Sequence, residues 1–182
     1  MTRAGFCLLA LATLLISACL VQPSSSQSFA DWRLLPPAEG PPPRLSKQRV
    51  TLLADQREQQ FMLVSRFDHE RLKLVVLLPG GARLLTLEYD GTELTQQSFS
   101  GFELPAEEIL ALLQFASWPP DSLTRHYPEA QGFRVIATAD ERRLLTESDS
   151  LLTIGIHPAG LQIDNHPMEY RVLVQTLEVT DL

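Results

Sequence analysis

Apolar and polar residues alternate in short runs between about residues 48 and 99, with turn residues between the runs. A period of two is typical of strands that have one buried face. Pro79-Gly80-Gly81 is a strong turn signal, and Asp90-Gly91 fits a two-residue hairpin loop in which both residues have positive φ. The pattern predicts an antiparallel meander. Its five strands are Gln48–Ala54, Gln59–Phe67, Arg71–Leu78, Arg83–Tyr89 and Thr92–Phe99.

One helix is predicted from Pro105 to Ser117, because proline is tolerated in a first turn and Glu107 and Glu108 suit the helix dipole. Its apolar face is wider than a solvated helix needs, and Trp118-Pro119-Pro120 ends it. A short helical turn is expected over residues 121–127. The fold class is therefore α+β, an antiparallel sheet with a covering helix. The later strands are Phe133–Thr138, Arg142–Thr146, Leu151–His157, Leu161–Asn165 and Tyr170–Val179.

The N-terminus has the pattern of a secretory signal. Arg3 precedes an apolar run from Phe6 to Ile16, and the small residues Ser17 and Ala18 stand before Cys19. This stretch resembles the lipobox of bacterial lipoproteins, in which the signal is removed and the cysteine carries diacylglycerol and a further acyl chain such as palmitate. An ordinary signal peptide or a membrane span is the alternative, but the run is short for a span of about 20 residues.

The resemblance divides the chain into a signal peptide at residues 1–18, a lipidated Pro/Ser-rich tether at 19–45 and a folded domain at 46–182. The tether contains Ser24-Ser25-Ser26 and two proline runs, which favour extended backbone. Leu20 follows the lipidated cysteine, where enterobacterial lipoproteins kept in the inner membrane have aspartate. The resemblance therefore implies an outer-membrane anchor and a domain that faces the periplasm.

The charge and the cysteines narrow the function. The formal net charge is −7, so a nucleic-acid partner is not expected. For the same reason the lipid, and not a set of basic residues, must anchor the protein in the membrane. The two cysteines are Cys7, in the signal, and Cys19. A catalytic cysteine, a disulfide and a cysteine metal site are therefore excluded from the mature domain.

No motif for enzymatic chemistry is recognisable, so we expect neither an enzyme nor a cofactor. His157 and His166 lie at strand-to-turn junctions and could meet near Asp164 around a metal ion. Their spacing matches no established metal motif, which favours two surface histidines and no metal.

The order of motifs resembles one protein family. It comprises the lipobox, the tether, LLPGGARLLTL at residues 77–87, Tyr89-Asp90-Gly91 and LQFASWP at 113–119. This pattern is similar to a family of small proteobacterial outer-membrane lipoproteins often encoded with aryl-polyene biosynthesis genes. These in turn are similar to the LolA/LolB lipoprotein carriers, and the resemblance implies an unclosed β half-barrel with a helix over an apolar cavity.

The resemblance implies that the protein binds or transfers a hydrophobic or lipidic ligand, either a lipoprotein acyl chain or a polyene lipid. The alternative is a non-enzymatic adaptor that binds other envelope proteins through a sheet edge or the Trp118 region. Strand residues 74–78 are apolar on both faces, which fits either a well-covered core or a cavity wall. The candidate cavity and helix residues are Leu74, Val76, Leu78, Ile109, Leu112, Leu113, Phe115 and Trp118.

Overall fold

The computed structural model describes residues 32–99 and 105–182. The predicted signal peptide and the lipidation site Cys19 lie outside these residues. These residues contain two α-helices, α1 (Ala106–Ser117) and α2 (Pro120–His126). The strands of the first half are β1 (Arg44–Ala54), β2 (Arg57–Phe67), β3 (Leu72–Leu77), β4 (Arg83–Tyr89) and β5 (Leu94–Ser98). Those of the second half are β6 (Arg134–Ala137), β7 (Glu141–Leu145), β8 (Ser150–His157), β9 (Gly160–Asn165) and β10 (Tyr170–Asp181).

All ten strands form one antiparallel sheet in the order β5-β4-β3-β2-β1-β10-β9-β8-β7-β6. Each half of the chain makes a meander, and the first and last strands, β1 and β10, join the two meanders at the centre. Among the described strands β5 and β6 do not pair with each other, so the curved sheet is unclosed. The α+β class and the antiparallel arrangement predicted from the sequence are confirmed.

The turns follow the predicted positions with one correction. The connection between β4 and β5 is four residues long, not two, and of its residues Gly91 has positive φ, at 97°. The reason is that the Asp90 carboxylate accepts the backbone N–H groups of Thr92 and Glu93, both at 2.8 Å, which closes a wider loop. Gly160 is the first residue of β9, directly after the turn that follows β8. A Cβ there would lie 1.9 Å from the Val174 carbonyl oxygen, so only glycine fits.

One face of the sheet, the inner face, packs in a common core with both helices. Strand register places Leu74 opposite Leu87 and Ile154 opposite Ile163, and all four side chains are buried. The same core contains Leu110 and Phe115 of α1 and Leu123 of α2. The core therefore lies between the inner face of the sheet and the two helices.

The segment from Trp32 to Gly40, here called the strap, docks on the two helices. Gln114 of α1 exchanges two hydrogen bonds with the backbone of Leu35, and the Trp118 indole donates to the Pro36 carbonyl at 3.2 Å. Trp32 and Leu35 are buried. This part of the predicted tether is thus a packed component of the domain.

Glu39 joins the strap to α2. Its carboxylate accepts hydrogen bonds from Ser122 Oγ at 2.6 Å and from Arg125 Nη2 at 2.7 Å, and His126 Nε2 lies 3.3 Å from it. The bond from Ser122, followed by that from Arg125, lowers the pKa of Glu39 from 4.5 to about 2. A lowered folded-state pKa stabilises the fold above the unfolded value, and this contribution is lost as the pH falls from about 4.5 to about 2.

We expect Glu39→Gln to lower the free energy of unfolding at pH 7 by about 1 kcal/mol, because solvent screens the 31% exposed carboxylate. The difference from the wild type should shrink as the pH is lowered through 4 towards 2. Urea unfolding at several pH values measures it, with the exposed Glu58→Gln as the matched control. A difference that stays constant from pH 7 to pH 2 would show that the charge of Glu39 is not the cause.

Candidate functional site

The first turn of α1 is tied to the inner face by a buried polar cluster. Glu108, only 7% exposed, accepts hydrogen bonds at Oε1 from the Tyr170 hydroxyl at 2.6 Å and from Asn165 Nδ2 at 2.8 Å. Tyr170 and Asn165 are directly opposite each other on β10 and β9. Burial, and then the bond to Glu108, raise the pKa of Tyr170, which therefore stays protonated as a donor.

The other end of α1 is held by Arg142 of β7. Its Nη1 donates to the carbonyl oxygens of Phe115 and Trp118, at 2.9 Å and 2.6 Å. These carbonyl groups are at the end of the helix, where intrahelical partners run out and a cation is favourable. Burial lowers the pKa of the Arg142 guanidinium. Polar contacts thus fix α1 against the sheet at both ends.

Between these two attachment points, apolar side chains remain partly accessible. Ile109 and Leu113 form one stripe of α1, because residues four apart lie on the same side of a helix, and both are half-buried. Half-buried apolar residues also lie on the inner face of the central strands, where Val50 is opposite Phe61. We call this set the inner apolar band. The inner apolar band comprises Val50, Phe61, Leu63, Ile109, Leu113 and Val172.

The residues predicted for a cavity fall into three groups. Leu74, Phe115 and Trp118 are at most 1% exposed and belong to the packed core, and Val76 and Leu112 are each 8% exposed. Ile109 and Leu113 lie in the inner apolar band. Leu78 is 40% exposed, just beyond the end of β3. Two of the eight are thus half-buried on one stripe of α1, and an enclosed cavity stays a prediction.

Sequence reasoning missed the strand residues of the band and emphasised β3. The second face of β3 does not line the interior: Val75 is opposite Val64, and Leu77 is opposite Met62, on the outer face. The band residues Val50, Phe61 and Val172 come from strands with ordinary alternation. The feature of the sequence that could have identified them is the length of their strands. β1, β2 and β10 have 11, 11 and 12 residues and extend beyond the shorter strands.

The two histidines considered for a metal do not converge. His166 Nε2 lies 3.0 Å from Thr153 Oγ1 of β8. His157 is four residues after Thr153 in the same strand, and its ring lies beside Gly155. Asp164 binds Arg171 Nε at 2.5 Å and Gln162 Nε2 at 2.9 Å. Within the described residues no group of three or more His, Cys, Asp or Glu side chains is arranged to hold a metal ion.

Other polar groups that resemble catalytic residues are already used within the fold. Ser122 Oγ and His126 Nε2 both contact the carboxylate of Glu39. A surface cleft beside Glu88 and Asp90 has carboxylates bonded to Lys73 and to backbone N–H groups respectively. These bonds lower the pKa of each carboxyl group, so neither is suited to donate a proton near neutral pH.

Neither of the two α-helices in the described part of the chain has the length and apolar character of a membrane span. The longer of them, α1, has 12 residues, against about 20 for a span.

Comparisons with known proteins give one family match and a distant structural likeness. The model of a family described as "Protein of unknown function (DUF3261)" matches residues 45–178, from β1 into β10, and so includes both helices. A search of curated proteins finds no match. The fold is similar to an outer membrane lipoprotein-sorting protein domain from Vibrio parahaemolyticus, with 10% identity and a TM-score of 0.38. This likeness covers 77% of this chain and 85% of that one.

Proposed function

The chain belongs to the DUF3261 family, and we propose that its domain binds the acyl chain of a lipid along the inner apolar band. The ligand is a lipoprotein acyl chain or a polyene lipid, held by burial of apolar surface without a chemical step. The domain acts as a half-barrel carrier in the periplasm, anchored in the outer membrane through acylated Cys19.

The observation that carries this proposal is where the accessible apolar surface lies. Soluble proteins normally bury such residues or scatter them singly over the exterior. Here half-buried residues of α1 and of the long central strands lie on the same side of an unclosed sheet, beside a complete core. Such an apolar surface suits a flexible hydrocarbon chain, for which burial contributes about 0.8 kcal/mol per methylene.

A second function, a non-enzymatic adaptor in an envelope complex, is favoured by the end of β10. Beyond Val174 no described strand pairs with the second edge of β10, and Leu177 and Val179 are 44% and 51% exposed. Such an edge can pair with an extended segment of another protein. The Trp118 region is not available for this role, because that side chain is 1% exposed.

A chain that begins at Leu20 tests the carrier proposal, because it contains every described residue and lacks the predicted lipid. We expect this chain to bind a fluorescent neutral acyl ester, and Ile109→Asp to weaken the binding at least tenfold. Because Ile109 is half-buried, the carboxylate introduced at this position would remain partly hydrated. The fold should therefore persist, which circular dichroism would show. The binding constants come from fluorescence titration.

Leu177→Asp is the matched control, since it also places a carboxylate on a partly accessible apolar residue, but at the end of β10. Its affinity for the ester should equal that of the wild type. Native mass spectrometry of protein purified from its own host without detergent supplies the second readout, and a retained lipid supports the carrier. No binding of the ester, together with a co-purified protein lost in Leu177→Asp, would replace the carrier with the adaptor.

A further inference from the structure

A buried carboxylate lies at one end of the inner apolar band. Glu108 immediately precedes Ile109 in α1, and its partner Tyr170 is two residues from Val172 on the same face of β10. The three elements that meet there, α1, β9 and β10, leave Glu108 only 7% exposed. An acyl chain that runs along the band to the first turn of α1 would place its end group beside this carboxylate.

The charge of Glu108 is not neutralised by a neighbouring cation. Its hydrogen-bond donors among the described residues, the Tyr170 hydroxyl and the Asn165 amide, are neutral. In the described part of the chain no lysine or arginine forms an ion pair with Glu108. The positive end of the helix dipole already faces two carboxylates, because Glu107 is in the same turn.

Building on the proposed carrier function, we propose that Glu108 makes the band selective for acyl chains whose end group is uncharged, namely esters and amides, and excludes carboxylates and phosphates from that end. Like charges repel strongly where water is scarce, and an anionic end group would also lose its hydration there. Acyl chains joined through an ester or amide bond meet neither penalty. The ligand class is therefore the bound acyl chains of lipids and lipoproteins rather than free fatty acids.

A pair of double-ended compounds tests this selectivity whichever way the chain enters. Hexadecanedioic acid has a carboxylate at both ends, and its dimethyl ester has the same length with no charge. In competition with the fluorescent ester on the chain from Leu20, we expect the diester to bind at least tenfold more tightly than the diacid, equivalent to about 1.4 kcal/mol. Glu108→Gln keeps an acceptor oxygen for Tyr170 and Asn165 and should reduce this ratio to less than threefold.

Glu107→Gln is the matched control, because it removes the same charge from an exposed position in the same turn. It should leave the ratio within twofold of the wild type. If the wild type binds the diacid and the diester equally, or if Glu108→Gln leaves the ratio unchanged, the selectivity is wrong while the carrier stands. If neither compound displaces the probe and the probe itself does not bind, the carrier proposal fails. Even if Glu108→Gln does not fold, equal binding of the two compounds by the wild type would refute the selectivity.

Discussion

Replacing Trp118 with alanine is expected to lower the free energy of unfolding by about 4 kcal/mol. The side chain is 1% exposed, and its ring meets the Phe67 ring edge-to-face with 5.6 Å between centroids. It also touches the strap, since a Cβ on Gly40 would lie 2.9 Å from the indole. Alanine would leave a cavity where β2, α1 and the strap meet, and the Pro36 carbonyl would keep the Glu39 N–H but lose the indole as a donor.

Thermal and urea unfolding measure this loss, and the melting temperature should fall by about 8–16 °C. Trp118→Phe should give an intermediate value, because a phenyl ring keeps part of the packing but not the indole donor. Leu177→Ala, at an exposed apolar residue, should change the stability by less than about 0.5 kcal/mol. A loss below about 1 kcal/mol in Trp118→Ala would mean that the strap and Phe67 pack on α1 far more loosely than the structure indicates.

The strands were largely predictable from the sequence because their signal is local. Alternation over Arg83–Tyr89 is the buried-face pattern of β4, with Leu85, Leu87 and Tyr89 buried. Where pairing with distant strands decides an element's boundary, the local pattern does not predict that boundary correctly. β1 begins at Arg44, inside the predicted tether, because the Pro-rich segment ends only where pairing with Phe67 and Asp181 begins.

The candidate site was less predictable, because its contacts join residues far apart in the chain. Glu108 and Tyr170 are separated by 62 residues, and the sequence explains Glu108 adequately by the helix dipole alone. Likewise, a wide apolar helix face indicates that most of the helix surface is in contact with other apolar groups. It does not indicate which groups these are. In the structure Leu110 and Phe115 face the core, whereas Ile109 and Leu113 are left partly accessible.

Gln114→Ala is expected to destabilise the protein by about 3 kcal/mol, because it leaves two buried backbone groups without partners. Gln114 is fully buried; its Oε1 accepts the Leu35 N–H at 2.8 Å, and its Nε2 donates to the Leu35 carbonyl at 2.7 Å. Alanine can replace neither bond, and Leu35 is 1% exposed, so water cannot take over without detaching the strap.

Hydrogen exchange distinguishes detachment of the strap from a uniform loss of stability in Gln114→Ala. The Leu35 amide should exchange much faster in the variant, whereas amides in the centre of β8 should follow only the change in global stability. Gln175→Ala is the matched control, since Gln175 is exposed and bonded to Arg49 at 3.1 Å, and it should cost less than about 0.5 kcal/mol. An unchanged Leu35 exchange rate in Gln114→Ala would contradict the strap as an integral part of the domain. A selective increase at Leu35 would instead show that Gln114 holds this part of the strap on α1, the helix that carries Ile109 and Leu113.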